Sequence, residues 1–272
     1  MPFSGASGRS VMGRVLLVGA GPGDIELLTL KAVRALGRAD VVLLDDLVNP
    51  DILQFCRDDV RIIRVGKRGG CRSTPQDFIN RLMRRYARQG LTVARVKGGD
   101  PCIFGRAGEE KAFLERAGIV VDIINGLTSG LVAASSIGVP LTDRRFTRGV
   151  TFVTGHTKEG GTPDWSALVA GGTTLVIYMG MKQMPTIVAG LQAAGMSTSM
   201  PVAVIANASL PTQAHVVTTL GEMAVDARDA ALASPAVIVV GEVVGEACAV
   251  DKNGESVNSI NSQSALLYQM RV

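Results

Sequence analysis

The sequence predicts an α/β protein built on mainly parallel sheets. Three observations carry that prediction. Short apolar runs alternate with segments of helical periodicity along most of the chain. The early runs are apolar throughout rather than at every second residue, as strands covered on both faces are. The length, 272 residues at 47% hydrophobic, suits one large domain or two modest ones.

The elements follow in order. Residues 14–20 (RVLLVGA) form a buried strand that ends in glycine. Residues 27–38 are helical, with Leu27, Leu30, Val33 and Leu36 on one stripe. Runs 41–44 and 61–65 are the second and third strands. Residues 75–89 form a helix with proline in its first turn and Phe78, Leu82 and Tyr86 as its stripe. Strand 91–96 leads into Gly98-Gly99-Asp100-Pro101. A helix at 107–117, a fifth strand at 119–124 and a small-residue helix at 128–137 complete this half. The polar turn region 143–149 is the candidate boundary. Beyond it, 150–153, 173–179, 202–206, 214–219 and 236–240 are apolar or β-branched runs, with helices over 182–194 and 221–228. The organisation is therefore an N-terminal α/β domain over 13–145 and a C-terminal α/β domain over 146–248 with some antiparallel pairing. A polar, flexible tail covers 249–272.

Charge narrows the partners. The net charge is +4, but residues 1–158 carry 24 basic and 15 acidic side chains, against 4 and 9 in residues 159–272. Residues 57–106 alone hold 13 basic and 4 acidic. A basic half favours nucleic acid, phosphate or a polycarboxylate. Aromatics are only 4%, which argues against nucleic acid, because single-strand binders stack bases on aromatic rings. Cys56, Cys71, Cys102 and Cys248 contain no CxxC pair, and His156 and His215 lie far apart, so no metal site is expected and the thiols read as reduced. No stretch reaches the ~18 apolar residues of a membrane span. The N-terminal residues lack an apolar signal core, so a soluble cytoplasmic protein is expected. With only short segments before 13 and after 250, no fused enzyme module is expected.

Parallel sheets bind ligands at the carboxyl ends of their strands, which directs attention to loops 19–24, 45–48 and 97–103. Gly19-Ala20-Gly21-Pro22-Gly23-Asp24 falls short of a dinucleotide fingerprint, since Asp24 stands where the last glycine belongs. Asp45 lies at about the ribose-binding distance, so a nicotinamide oxidoreductase remains an alternative. Gly66-Lys67-Arg68 is no phosphate loop: Arg61 replaces its first glycine and no Ser or Thr follows the lysine. Ser129 is one place late for a nucleophile elbow, and His156 and His215 fit no triad.

The segments taken together are more specific. VGAGPGDIELLTLKA (18–32), LLDDLV (43–48), VGKRGG (65–70), ARVKGGDPCIFGRAGEE (94–110), GLTSGLVAASSIGVPLTDR (126–144), VTGH (153–156), IYMG (177–180) and PAVIVVGEVV (235–244) occur in this order. The chain resembles the tetrapyrrole methylases, on their uroporphyrinogen-III C-methyltransferase branch, over roughly residues 13–245. The resemblance implies a two-domain tetrapyrrole methylase fold with the active site in the cleft between domains, and a homodimer. It implies S-adenosyl-L-methionine as methyl donor, with S-adenosyl-L-homocysteine released. The implied reaction is methylation of uroporphyrinogen III at C2 and C7, through precorrin-1 to precorrin-2, for sirohaem and cobalamin.

Residue by residue, the resemblance places donor contacts at Pro22, Gly98, Gly99, Asp100, Ile103, Thr128, Ser129, Met179 and Ala208. It implies Asp45 as proton acceptor and Lys67 as proton donor. Asp100 is suited to the donor's ammonium and the glycines to close backbone approach. Uroporphyrinogen III carries eight carboxylates, which makes Arg68, Arg72 and Arg106 candidate substrate contacts. The charges of Arg81, Arg84, Arg85 and Arg88 read as solvated. Several positions depart from the family pattern: Asp46 for a frequent Arg, Asn125 for Pro, Gly130 for an alanine-like residue, and Asp143 for a frequent His.

Overall fold

The computed structural model describes residues 12–66, 74–155, 161–246, 249–250 and 256–257. Two compact units divide between Thr128 and Ser129.

In the first unit, strands β1 (Arg14–Gly19), β2 (Val41–Leu44), β3 (Arg61–Arg64), β4 (Thr92–Lys97) and β5 (Val120–Ile124) form an all-parallel sheet in the order β3-β2-β4-β1-β5. Helices α1 (Leu30–Leu36), α2 (Gln76–Arg88) and α3 (Ala107–Glu115) cover it. Val15, Leu17, Val41, Leu43 and Val93 join the core under α2 and α3. Leu16, Val18, Val42, Leu44, Ala94 and Val96 join the opposite core, under α1 and the 3-10 helix Pro50–Phe55. Alternate residues are thus buried on opposite faces, which explains uniformly apolar strands.

Two helix stripes differ from expectation. Asp24 caps a separate 3-10 turn, Ile25–Leu27, and the chain restarts at Thr29, whose hydroxyl accepts the Ala32 N–H. Because α1 begins only after this restart, it buries Ala32, Ala35 and Leu36 and leaves Leu30 exposed. In α2, Ile79, Met83, Tyr86 and Ala87 are buried and Phe78 is exposed. Repeated steps of four drift around a 3.6-residue helix, whereas mixed steps of four and three stay on one face.

In the second unit, β6 (Val150–Thr154), β7 (Thr174–Tyr178), β8 (Pro201–Ala206), β9 (Ala214–Thr219) and β10 (Ala236–Val240) form a mixed sheet in the order β6-β7-β10-β8-β9. Only β6 and β7 pair in parallel; β10 runs antiparallel to both β7 and β8, and β8 to β9. Helix α4 (Ser129–Ser136) packs Ala133 and Ala134 against Val176, Val237 and Val239. That packing groups 129–145 with the second sheet, whereas the sequence puts the boundary at 145. Helices α5 (Trp165–Ala170), α6 (Met184–Ala193) and α7 (Met223–Asp229) share a core with Leu175, Ile177, Val204 and Ile238.

Ala249–Val250 and Ser256–Val257 pair antiparallel, and the rest of the polar C-terminal segment lies outside the described residues. Among the described residues no helix is long and apolar enough to cross a membrane.

Candidate active site

The strand order of the first sheet sets the loops after β2, β4, β1 and β5 side by side. They are joined backbone to backbone. The Gly21 N–H donates to Gly99 O at 3.2 Å, and the Gly99 N–H to Gly21 O at 2.7 Å. Both glycines sit in the left-handed region, at φ +70° and +67°. Gly19, Gly99 and Gly126 pack without side chains between them. A Cβ on Gly19 would lie 2.5 Å from Gly126 N and 2.7 Å from Gly99 O, and one on Gly126 would overlap Gly99 O. The 45–49 loop is tied in as well, by Asn49 Nδ2 donating to Gly23 O at 2.9 Å. The glycines therefore serve loop-to-loop contact. Asp24 accepts the Glu26 N–H at 2.9 Å as a cap. These arrangements commit the Gly21 N–H that a dinucleotide loop would offer to a pyrophosphate.

Asp100 fastens the same loops. Its Oδ1 accepts the Cys102 N–H at 2.7 Å, and its Oδ2 accepts Asn125 Nδ2 at 3.2 Å and the Gly126 N–H at 3.1 Å. A carboxylate offers about four acceptor positions, so about one remains for a ligand ammonium. Asn125, the departure from proline, thereby gains a partner that a prolyl ring lacks. Pro22, Gly98, Gly99 and Ile103 are half-buried on these loops, and Thr128 is buried at the end of the unit.

Asp45 follows β2 on the same face as Val41 and Leu43. Its Oδ1 accepts the Asp46 N–H at 2.9 Å, and its Oδ2 accepts Arg95 Nη2 at 2.8 Å. The Asp45 side chain is 34% exposed, while that of Arg95 is 3%. Behind them lies Glu110, fully buried in α3. Its Oε1 accepts Gln76 Nε2 at 2.9 Å, Lys97 Nζ at 3.1 Å and Arg95 Nε at 3.4 Å. Burial, then the neighbouring Arg95 charge, pushes the Lys97 ammonium below its ordinary range, against the pull of Glu110 and Asp45.

Arg106 starts α3 at φ +59° and pairs bidentately with Glu109, at 3.1 and 2.6 Å. Both side chains are exposed, so the pair is worth about 0–1 kcal/mol and exchanges readily for another carboxylate. Lys67, Arg68 and Arg72 lie outside the described residues.

In the second unit, Ser129 opens α4, and the next N–H, of Gly130, donates to Tyr178 Oη at 2.8 Å. A Cβ at Gly130 would lie 2.5 Å from that oxygen and 2.6 Å from Val176 Cγ1, which accounts for glycine there. Met179 follows Tyr178, exposed and at φ +56°. Ala208 is buried between Asn207 and Ser209, at φ +51° and +68°. Among the described residues six non-glycines have positive φ; Phe104, Arg106, Met179, Asn207 and Ser209 all sit on or beside candidate positions, and only Ala231 does not. Such backbone costs about 1–3 kcal/mol per residue and concentrates at functional loops. Asp143 caps the turn to Thr147 and pairs with Arg145, whose hydrogen bonds hold its carboxyl down to about 2.

The profile of the Tetrapyrrole (Corrin/Porphyrin) Methylases matches residues 14–224. The chain belongs to the tetrapyrrole methylase family. It is 60% identical over 231 residues to a uroporphyrinogen-III C-methyltransferase of Pseudomonas aeruginosa, covering 85% of this chain and 94% of that one. It is 47% identical over 233 residues to a siroheme synthase 2 of Klebsiella pneumoniae, covering 86% of this chain and 50% of that one. The crystal structure of a uroporphyrin-III C-methyl transferase of Thermus thermophilus, complexed with S-adenyl homocysteine, superposes with a TM-score of 0.74 at 40% identity. That match covers 85% of this chain and 99% of the other.

Within this tetrapyrrole methylase, Arg95, Lys97, Glu110 and Gln76 were not singled out by motif reasoning. A signal was present. Arg95 and Lys97 stand two apart in a strand otherwise apolar, so both face one side of a sheet predicted to be helix-covered. Buried cations require carboxylates, and among the described residues Glu110 is the fully buried one.

Proposed function

We propose that the protein methylates uroporphyrinogen III at C2 and C7 with S-adenosyl-L-methionine, giving precorrin-2 by way of precorrin-1, in sirohaem and cobalamin synthesis. It acts in the cytoplasm as a homodimer. The observation that carries this reading is the half-exposed Asp45 carboxylate, held on loops strapped together by Gly19, Gly21, Gly99 and Gly126. The similarity to enzymes named for that substrate and the demethylated donor in the Thermus thermophilus structure support it.

The residues fit a methyl donor of this kind. Bare glycine backbone at Gly98 and Gly99, the apolar Ile103 and the rigid Pro22 lie at the carboxyl ends of β4 and β1, and Asp100 keeps an acceptor position for an ammonium. With Thr128 and Ser129, and with Met179 and Ala208, these are the residues that would hold it. When bound, S-adenosylmethionine supplies an electrophilic methyl group on a sulfonium centre. Methylation leaves positive charge on the ring system, relieved by loss of a proton. Asp45 accepts that proton on a carboxylate oxygen, since Oδ1 and Oδ2 each have one donor and retain lone pairs. Lys67 supplies the proton that aids turnover. Arg106 engages substrate carboxylates by exchanging Glu109 for them, and Arg68 and Arg72 are the further proposed substrate contacts.

The test is incubation of the purified protein with uroporphyrinogen III and isotopically labelled donor, counting methyl groups on the product by mass. Two labelled methyl groups are expected. Label entering only a later precorrin would move the assignment elsewhere in the family. Tight NAD binding without S-adenosylhomocysteine binding would overturn it.

A further inference from the structure

The cluster behind Asp45 joins four charged side chains from three elements. Arg95 and Lys97 come from β4, Glu110 from α3, and Asp45 from the end of β2. Arg95 bridges the cluster: its Nη2 holds Asp45 Oδ2 at 2.8 Å, its Nε reaches Glu110 Oε1 at 3.4 Å, and its Nη1 donates to Val96 O at 3.3 Å. Glu110 shares Oε1 among three donors, and its Oε2 has no partner, an expensive arrangement for a fully buried carboxylate. Well-packed apolar side chains would be as stable in such a place or more so. Burying this cluster under α2 and α3 thus points to a purpose other than stability. Its one member that reaches solvent appreciably is Asp45.

We propose that Arg95, anchored by Glu110, is a positioning residue that fixes the Asp45 carboxylate for proton transfer. This rests on the reading of Asp45 as proton acceptor. A free aspartate samples several rotamers, whereas Arg95 and the Asp46 N–H each clamp one oxygen and leave the remaining lone pairs aimed outward. Glu110, itself held by Lys97 and Gln76, and the Val96 carbonyl hold the guanidinium from behind, so Arg95 is restrained from swinging to follow a substrate carboxylate.

The experiment is a double-mutant cycle on kcat with Asp45→Asn, Arg95→Met and their combination, at saturating donor and tetrapyrrole. Asp45→Asn and Arg95→Met are each expected to lower kcat, Arg95→Met by about 10²-fold, the loss a displacement of about 1 Å produces. S-adenosylhomocysteine affinity is expected to stay within about two-fold, because Arg95 lies outside the glycine straps. The double variant is expected to be no slower than Asp45→Asn alone, since Arg95 acts through Asp45. Losses that multiply in the double variant, or a wild-type kcat for Arg95→Met beside an impaired Asp45→Asn, overturn the positioning role and leave the proton-acceptor reading intact. A wild-type kcat for Asp45→Asn overturns both. Should Arg95→Met fail to fold, Glu110→Gln, which keeps the shape and removes the anchoring charge, takes its place in the cycle with the same expectations.

Discussion

Replacing Gly19 with alanine tests the loop architecture at its tightest point. The new Cβ would lie 2.5 Å from Gly126 N, 2.7 Å from Gly99 O and 2.8 Å from Gly126 Cα. Ordinary contact begins at 3.4 Å, so the loops after β1, β4 and β5 must part by about 1 Å. All three neighbours are backbone, and no rotamer change relieves them. Overpacking of this kind costs about 1–3 kcal/mol. In domains of this size each kcal/mol lowers Tm by about 2–4 °C. The larger effect is expected on function, because Gly99 and Asp100, proposed here as donor contacts, ride on the displaced loop and a shift of about 1 Å lowers turnover by about 10²-fold. Calorimetric titration with S-adenosylhomocysteine, initial rates and thermal melts read the three consequences separately. Gly108→Ala is the control: nothing lies within 4 Å of its Cβ, and in α3 alanine gains up to about 1 kcal/mol over glycine. A Gly19→Ala protein with wild-type Tm and wild-type affinity would refute the strapping of these loops.

Other outcomes follow from single contacts. Arg106→Glu is expected to raise the KM for the tetrapyrrole at least about tenfold, a cost of about 1.4 kcal/mol, with S-adenosylhomocysteine affinity unaltered; an unchanged KM and rate would remove Arg106 from the site. Tyr178→Phe leaves the Gly130 N–H without its 2.8 Å acceptor and should cost about 0.5–1.5 kcal/mol in denaturant unfolding. His215 is half-buried on β9, and burial lowers its pKa, so the folded chain resists the proton that the unfolded chain accepts. Stability should therefore fall as pH drops below about 6.5, and His215→Gln should lose less between pH 7 and pH 5 than the wild type. Parallel denaturation curves at the two pH values for both proteins would contradict this.

What was legible in the sequence follows the range of the interactions. Strand β2 was read at its observed limits, because a four-residue apolar run between polar neighbours has a single interpretation. The three strand-end loops were legible for the same reason. The stripes on α1 and α2 differ from the leucine and aromatic spacing, since the restart at Thr29 is not marked in the spacing of Leu27, Leu30, Val33 and Leu36, and the four-residue steps from Phe78 to Tyr86 drift off the buried face. Helix α5 is six residues long, too short for periodicity to register. The packing of Gly19 on Gly99 and Gly126 was invisible, since nothing local marks contacts between positions so far apart in the chain. The Arg95–Glu110 cluster is marked in ARVK and GRAGEE by charges set among apolar neighbours, but its pairing joins residues of β4 and α3 that only the fold brings together.

The strap that joins Gly21 to Gly99 consists of peptide groups alone, with no ionisable atom in it. Added electrolyte has nothing there to shield. Arg106, exposed and proposed here for substrate carboxylates, is the opposite case, since attraction between exposed charges weakens once the Debye length shrinks to about 10 Å at 0.1 M salt. On the proposed reading of Arg106 as a substrate contact, raising ionic strength is expected to weaken the hold on the tetrapyrrole while the peptide strap between Gly21 and Gly99 stays as firm as before.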